Sequence, residues 1–149
     1  MNGFRTTIGF AQAALLWFAA SGAPGLARAD DIPSPCASLK RIVAARADGF
    51  STLTPTDASG IAQPYGRDPH CAAAGSAYQC EWTPQPDART PSDALESVAA
   101  DIAACLPDAT HDVNSPARQH FYLGERGQRT QIAVTAVGGG RIRLTVSGR

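Results

Sequence analysis

Lysine, aromatic residues, charge excess and long apolar runs are all scarce in this sequence. Its 149 residues include one Lys, one Met, two Trp and 7% aromatics, and 13 basic side chains balance 13 acidic ones. A chain without basic excess has little means of displacing counterions from phosphate, which argues against generic nucleic-acid binding. Only 17% of residues are charged, but 44% are hydrophobic, enough apolar material for a core and too much for wholesale disorder. Cys-x-x-Cys and Gly-x-Ser-x-Gly are both missing, which removes the usual signatures of disulfide oxidoreductases, zinc ribbons and α/β-hydrolases. No apolar run reaches the roughly 20 residues of a membrane span. The expectation is a single domain with no metal, no cofactor and no stable membrane insertion.

What is present begins with an address. Met1 to Thr7 carries Arg5 and no acid, Ile8 to Ala20 is apolar apart from Gln12, and Ser21, Gly22, Pro24 and Gly25 lead to Ala27-Arg28-Ala29. A charged start, a short apolar centre and a small-x-small exit describe a secretory signal peptide over residues 1–29. A membrane anchor would need a longer run without these breakers, and a buried first helix of the domain is the further alternative. Cleavage after Ala29 would leave residues 30–149, bound for the periplasm or the medium. In that mature chain, residues 30–117 hold 5 basic and 12 acidic side chains, whereas residues 118–149 hold 6 Arg against Glu125 alone. The molecule is therefore dipolar, with a basic C-terminal end.

Export makes disulfides the default state of Cys36, Cys71, Cys80 and Cys105. Four cysteines allow three connectivities. Cys71 and Cys80 flank a Gly75-Ser76 turn, and placing them opposite each other in a hairpin brings them within disulfide reach. Cys36 then pairs with Cys105. The chain-entropy model assigns about 2.7 kcal/mol to the ten-residue ring and about 4.4 kcal/mol to the 70-residue ring.

Ser34-Pro35 reads as N-cap and first residue of a helix over 35–48, with Leu39, Ile42 and Val43 as its apolar stripe and Gly49 as its stop. Residues 50–69 lack periodicity and read as a connector pinned by Phe50, Leu53, Ile61 and Tyr65, or as a functional loop. In the second hairpin strand Tyr78, Cys80 and Trp82 alternate with Gln79, Glu81 and Thr83. Thr90-Pro91 opens a second helix whose stripe is Leu95, Val98, Ala99, Ile102, Ala103 and Leu106, closed by Pro107. Three strands follow. Treating Gly138-Gly139-Gly140 as a hairpin loop pairs Ala136 with Ile142, Val134 with Leu144 and Ile132 with Val146, which makes one face wholly apolar. The expected fold is an α+β two-layer sandwich, with two helices on one face of a mostly antiparallel sheet of about five strands in the order α-β-β-α-β-β-β.

A Cys opening the first helix, the strand Tyr78-Gln79-Cys80-Glu81-Trp82, the exit Cys105-Leu106-Pro107 and the terminal hairpin together resemble a group of small uncharacterised exported proteins of Gram-negative bacteria. The likeness covers most of the mature chain. It implies the same fold and cysteine pairing and assigns no catalytic residue.

Chemistry-bearing residues are dispersed. His70, His111 and His120 supply possible bases, but no motif sets a nucleophile beside one of them. His111-Asp112 reads as an exposed loop between Pro107 and Pro116, and His120 as a surface residue opening a strand. Glu81 and Glu125 read as solvent-facing strand residues with no spacing that singles them out as a glycosidase pair. The feature of interest is the polar face of the tail hairpin, where Arg129, Arg141 and Arg143 join Gln131, Thr135 and Thr145. Such a face is either solvated decoration or a surface for an acidic protein or an anionic envelope component. Two function classes follow: a non-enzymatic binding, inhibitory or accessory module, and a small periplasmic hydrolase or envelope-modifying enzyme using histidine and carboxylate.

Overall fold

In the computed structural model, which describes residues 33–148, helix α1 (Pro35–Ala45) runs into a short 3-10 turn (Arg46–Asp48) and stops at Gly49, whose φ of 61° is left-handed. Ser34 Oγ accepts from Ala37 N–H at the helix start, so cap and stop are those the sequence prescribes. Helix α2 (Pro55–Ala62) follows, then strands β1 (Gly66–Ala74) and β2 (Ala77–Pro84), helix α3 (Pro91–Cys105), and strands β3 (Thr110–Ser115), β4 (Arg118–Leu123), β5 (Thr130–Val137) and β6 (Arg141–Gly148). The sheet is antiparallel throughout, in the order β1-β2-β6-β5-β4-β3. The α+β sandwich expected from the sequence is therefore present, with three helices instead of two and six strands instead of five.

Both additions have physical causes. Helix α2 lies in the segment read as a connector, and its Pro and Gly residues disguise it. Pro55 is the first helical residue, where its missing N–H costs nothing. Asp57 Oδ2 accepts from the Thr54 N–H at 2.9 Å and from Thr54 Oγ1 at 2.8 Å. Gly60 sits inside the helix because a Cβ there would collide with Ser38 Oγ of α1. Strand β3 occupies the stretch read as a loop between Pro107 and Pro116. Being an edge strand with a register shift between His111 and Val113, it needs none of the apolar alternation that marks a central strand.

The hairpin registers match expectation to the residue. Cys71 faces Cys80, Val137 faces Arg141, and Ala136, Val134 and Ile132 face Ile142, Leu144 and Val146. β6 also pairs with β2, so Leu144 meets Cys80 and Ile142 meets Trp82. These inward side chains pack against Leu39 and Ile42 of α1, Ile61 of α2, and Leu95, Val98 and Ile102 of α3, all buried. Ala103, expected on the α3 stripe, is exposed, and Ala94 and Cys105 are buried instead. Two disulfides staple the sandwich. Cys36–Cys105 joins the start of α1 to the end of α3 with Cα atoms 5.5 Å apart, and Cys71–Cys80 crosses the first hairpin at 4.1 Å. The proposed leader, residues 1–29, lies outside the described residues.

Candidate functional site

All three helices lie on one side of the sheet, and among the described residues no element covers the other side. Strand alternation decides what that open face presents. Every apolar residue of β2, β5 and β6 aimed at the helices leaves its polar neighbour aimed outward, so burial alternates along β2, β5 and β6. One register row crosses the whole face: Ser115, Arg118, Thr135, Arg143, Glu81 and His70.

The structure puts Arg141 and Arg143 on this face but does not leave them as free cations. Pairing of β2 with β6 sets Glu81 opposite Arg143. Glu81 Oε1 accepts from Arg143 Nε at 2.6 Å and contacts Arg143 Nη2 at 2.6 Å, while Arg141 Nε lies 3.7 Å from Glu81 Oε2. Glu81, read as a plain solvent-facing residue, is the half-buried centre of a three-residue charge cluster. Arg129, just before β5, lies on the same face, its guanidinium carbon 5.5 Å from the Tyr122 ring centroid. Some arginine donors on the face stay unsatisfied: Arg129 Nε, Arg141 Nε and Arg141 Nη2 are shielded from solvent and have no hydrogen-bond acceptor in the protein.

The histidines are kept apart by the fold. His111, in β3 and not in a loop, stacks on Phe121 with ring centroids 4.6 Å apart. His120 Nδ1 lies 3.5 Å from the Tyr122 hydroxyl, and its burial, then Arg118, hold its pKa below the usual 6.5 against an opposing pull from Asp112. His70 is exposed on β1, across from Glu81. Among the described residues no hydrogen bond or ion pair joins a histidine to a carboxylate, and no three potential metal ligands cluster. Glu125 sits exposed in the β4–β5 turn, away from Glu81 in sequence and element.

Two polar features on the helical side escaped the sequence reading. Asp57 is buried, with its second carboxylate oxygen 3.0 Å from Arg41 Nη1. Its signal was legible: Thr54-Pro55-Thr56-Asp57 has the spacing of a capping box. Tyr65 donates to Asp101 Oδ2 at 2.7 Å beside an apolar groove of about 350 Å³ lined by Leu39, Ile61, Val98 and the Cys36–Cys105 disulfide. Burial and the Asp101 carboxylate push the Tyr65 phenol well above its ordinary value.

Fold and face together define a disulfide-stapled α+β sandwich with one open, arginine-bearing sheet face. Comparison with protein-family models, curated proteins and solved structures gives no match. Two disulfides with no free cysteine among the described residues fit an oxidising environment. No helix among those residues is long and apolar enough to cross a membrane.

Proposed function

We propose that this is an exported binding module, periplasmic or secreted after loss of residues 1–29, whose open sheet face docks an acidic protein. The observation that carries the reading is the set of arginine donors on that face with no acceptor in the protein. A shielded N–H without a partner is costly, so these side chains gain by turning outward onto a carboxylate that a partner brings. Arg118, Arg126, Arg129, Arg141 and Arg143 stand against Glu81 and Asp112 on the face, a net of +3. Glu81 and Asp112 set among the arginines lower the pull on an anionic-lipid surface, whose sites gather about 4–8 basic residues. Arg and Tyr122, which mark this face, are residue types enriched at protein interfaces. Separated histidines favour this module over a hydrolase or envelope-modifying enzyme.

Arginine-selective dicarbonyl labelling tests the reading. The protein purified from the envelope fraction is used to capture partners from envelope extract, and the complex is labelled. Protection of Arg118, Arg141 and Arg143, with Arg41 and Arg46 still modified, supports docking on the open face. Uniform labelling, or retention only on lipopolysaccharide or anionic vesicles, overturns it.

A further inference from the structure

We propose that the pocket between the β4–β5 turn and the outer face of the sheet is a carboxylate-binding site that takes one Asp or Glu side chain of the acidic partner. This rests on the docking reading above and names the chemistry at one end of that face. The pocket, about 290 Å³, is lined by Asp112, Tyr122, Arg126, Gly127, Arg129 and Gln131. Register places Tyr122 beside Gln131 on adjacent strands. The turn that carries Arg126 is closed by the Gln128 N–H donating to the Glu125 carbonyl at 3.1 Å, with Gly127 at a φ of 98° that other residues rarely adopt. Backbone geometry thus fixes where Arg126 is presented.

Three features select a carboxylate. Arg129 Nε is shielded and has no acceptor in the protein, so turning this guanidinium toward the pocket to meet an incoming oxygen breaks no existing hydrogen bond of that donor. The same guanidinium sits 5.5 Å from the centre of the Tyr122 ring. A guanidinium held by a ring face keeps its in-plane N–H groups for a planar, two-oxygen acceptor, the geometry a carboxylate offers. Asp112 on the pocket wall sets the local charge at +1 against the two arginines, and no ion pair within 4.0 Å ties it to either one. A site of net +1 is matched by a monoanion, and Asp112 repels a phosphate dianion.

The test follows the Arg129 Nε–H resonance in ¹⁵N-labelled protein during titration with N-acetylglutamate α-amide, which carries a single carboxylate, and separately with inorganic phosphate. A saturable shift at Arg129 is expected. R126Q, at an exposed turn, should weaken binding roughly tenfold, the loss expected of one charge-assisted hydrogen bond. Arg46→Gln on the helical side should leave it unchanged. No saturable shift, equal shifts at all arginines, or tighter binding of phosphate would overturn the site. The captured acidic partner separates the two levels of the claim. If R126Q binds that partner as tightly as the native chain does, the pocket is refuted as an anchor and face docking stands. If no acidic partner is captured while Arg129 still saturates, docking fails and the carboxylate site stands.

Discussion

Replacing Glu81 by Gln removes the one carboxylate that tethers Arg141 and Arg143, and it does so without changing shape. The stability effect should be modest. Although the Glu81–Arg143 contact is close at 2.6 Å, the side chains are 27% and 41% exposed, so solvent screens the pair and its worth is discounted to about 1 kcal/mol. In a domain of this size that lowers Tm by roughly 4 °C. Binding should move the other way. Each carboxylate removed from the face adds one unit of net positive charge. At about 7 Å in water a unit charge pair is worth about 0.6 kcal/mol, or roughly threefold in association with an acidic protein at low salt. Thermal melts followed by circular dichroism give the first number, and stopped-flow or surface-plasmon measurements at about 50 mM salt give the second. A Tm loss above about 10 °C would show that the cluster is not screened as its exposure implies. An association rate that is unchanged or reduced would mean the partner does not meet this face.

Other consequences are independent of the partner. Replacing Cys36 and Cys105 by Ser should cost more stability than the same change at Cys71 and Cys80, about 4.4 against about 2.7 kcal/mol in the chain-entropy model; equal losses in chemical denaturation would contradict it. Ile102→Asp should prevent folding, since the side chain is 3% exposed beneath the sheet and nothing there would pair the charge; an unchanged melting curve would refute the packing. Gly66→Ala should lose about 1–3 kcal/mol, because a Cβ would strike the Thr83 carbonyl oxygen and the Trp82 ring, and native-like fluorescence of buried Trp82 with full stability would count against it. His120 should titrate by NMR with a midpoint below 6.5. Its folded-state pKa is depressed, so the unfolded chain takes up the proton first. Its contribution to stability is whole above pH 6.5 and falls as pH drops from there through the folded value. His120→Gln should flatten that slope.

Much of this architecture is written in local patterns, and the exceptions are instructive. The β5–β6 register was legible because a two-residue period repeats on both sides of three glycines, and this alignment makes one face wholly apolar and the other largely polar. The α1 and α3 caps were legible because Ser34-Pro35 and Thr90-Pro91 are short-range signals. Helix α2 carries the same kind of opening in Thr54-Pro55, with Asp57 at the capping-box position, but its eight residues are too few to show a period. Gly60 within them is explained only by the close approach of α1. Strand β3 is held by pairing with β4 and carries little periodicity of its own. At the candidate site, the outward set of Arg141 and Arg143 followed from alternation, but their link to Glu81 did not. That contact spans 62 positions and depends on β2 lying beside β6, a fact of topology that no local window contains.

The pairing also dictates how the docking claim is best tested. Charge reversal at Arg143 would press a new carboxylate against Glu81 and confuse repulsion with lost binding, so glutamine is the cleaner replacement. The decisive measurement is the association rate of the captured acidic partner between about 50 and 300 mM salt, with native protein and with the Arg118→Gln, Arg141→Gln, Arg143→Gln variant. Steering by the open face predicts a native rate that falls at least about tenfold across that range, and a variant whose rate is low and nearly flat. Identical salt dependence in the two proteins would contradict the claim that this face meets the partner.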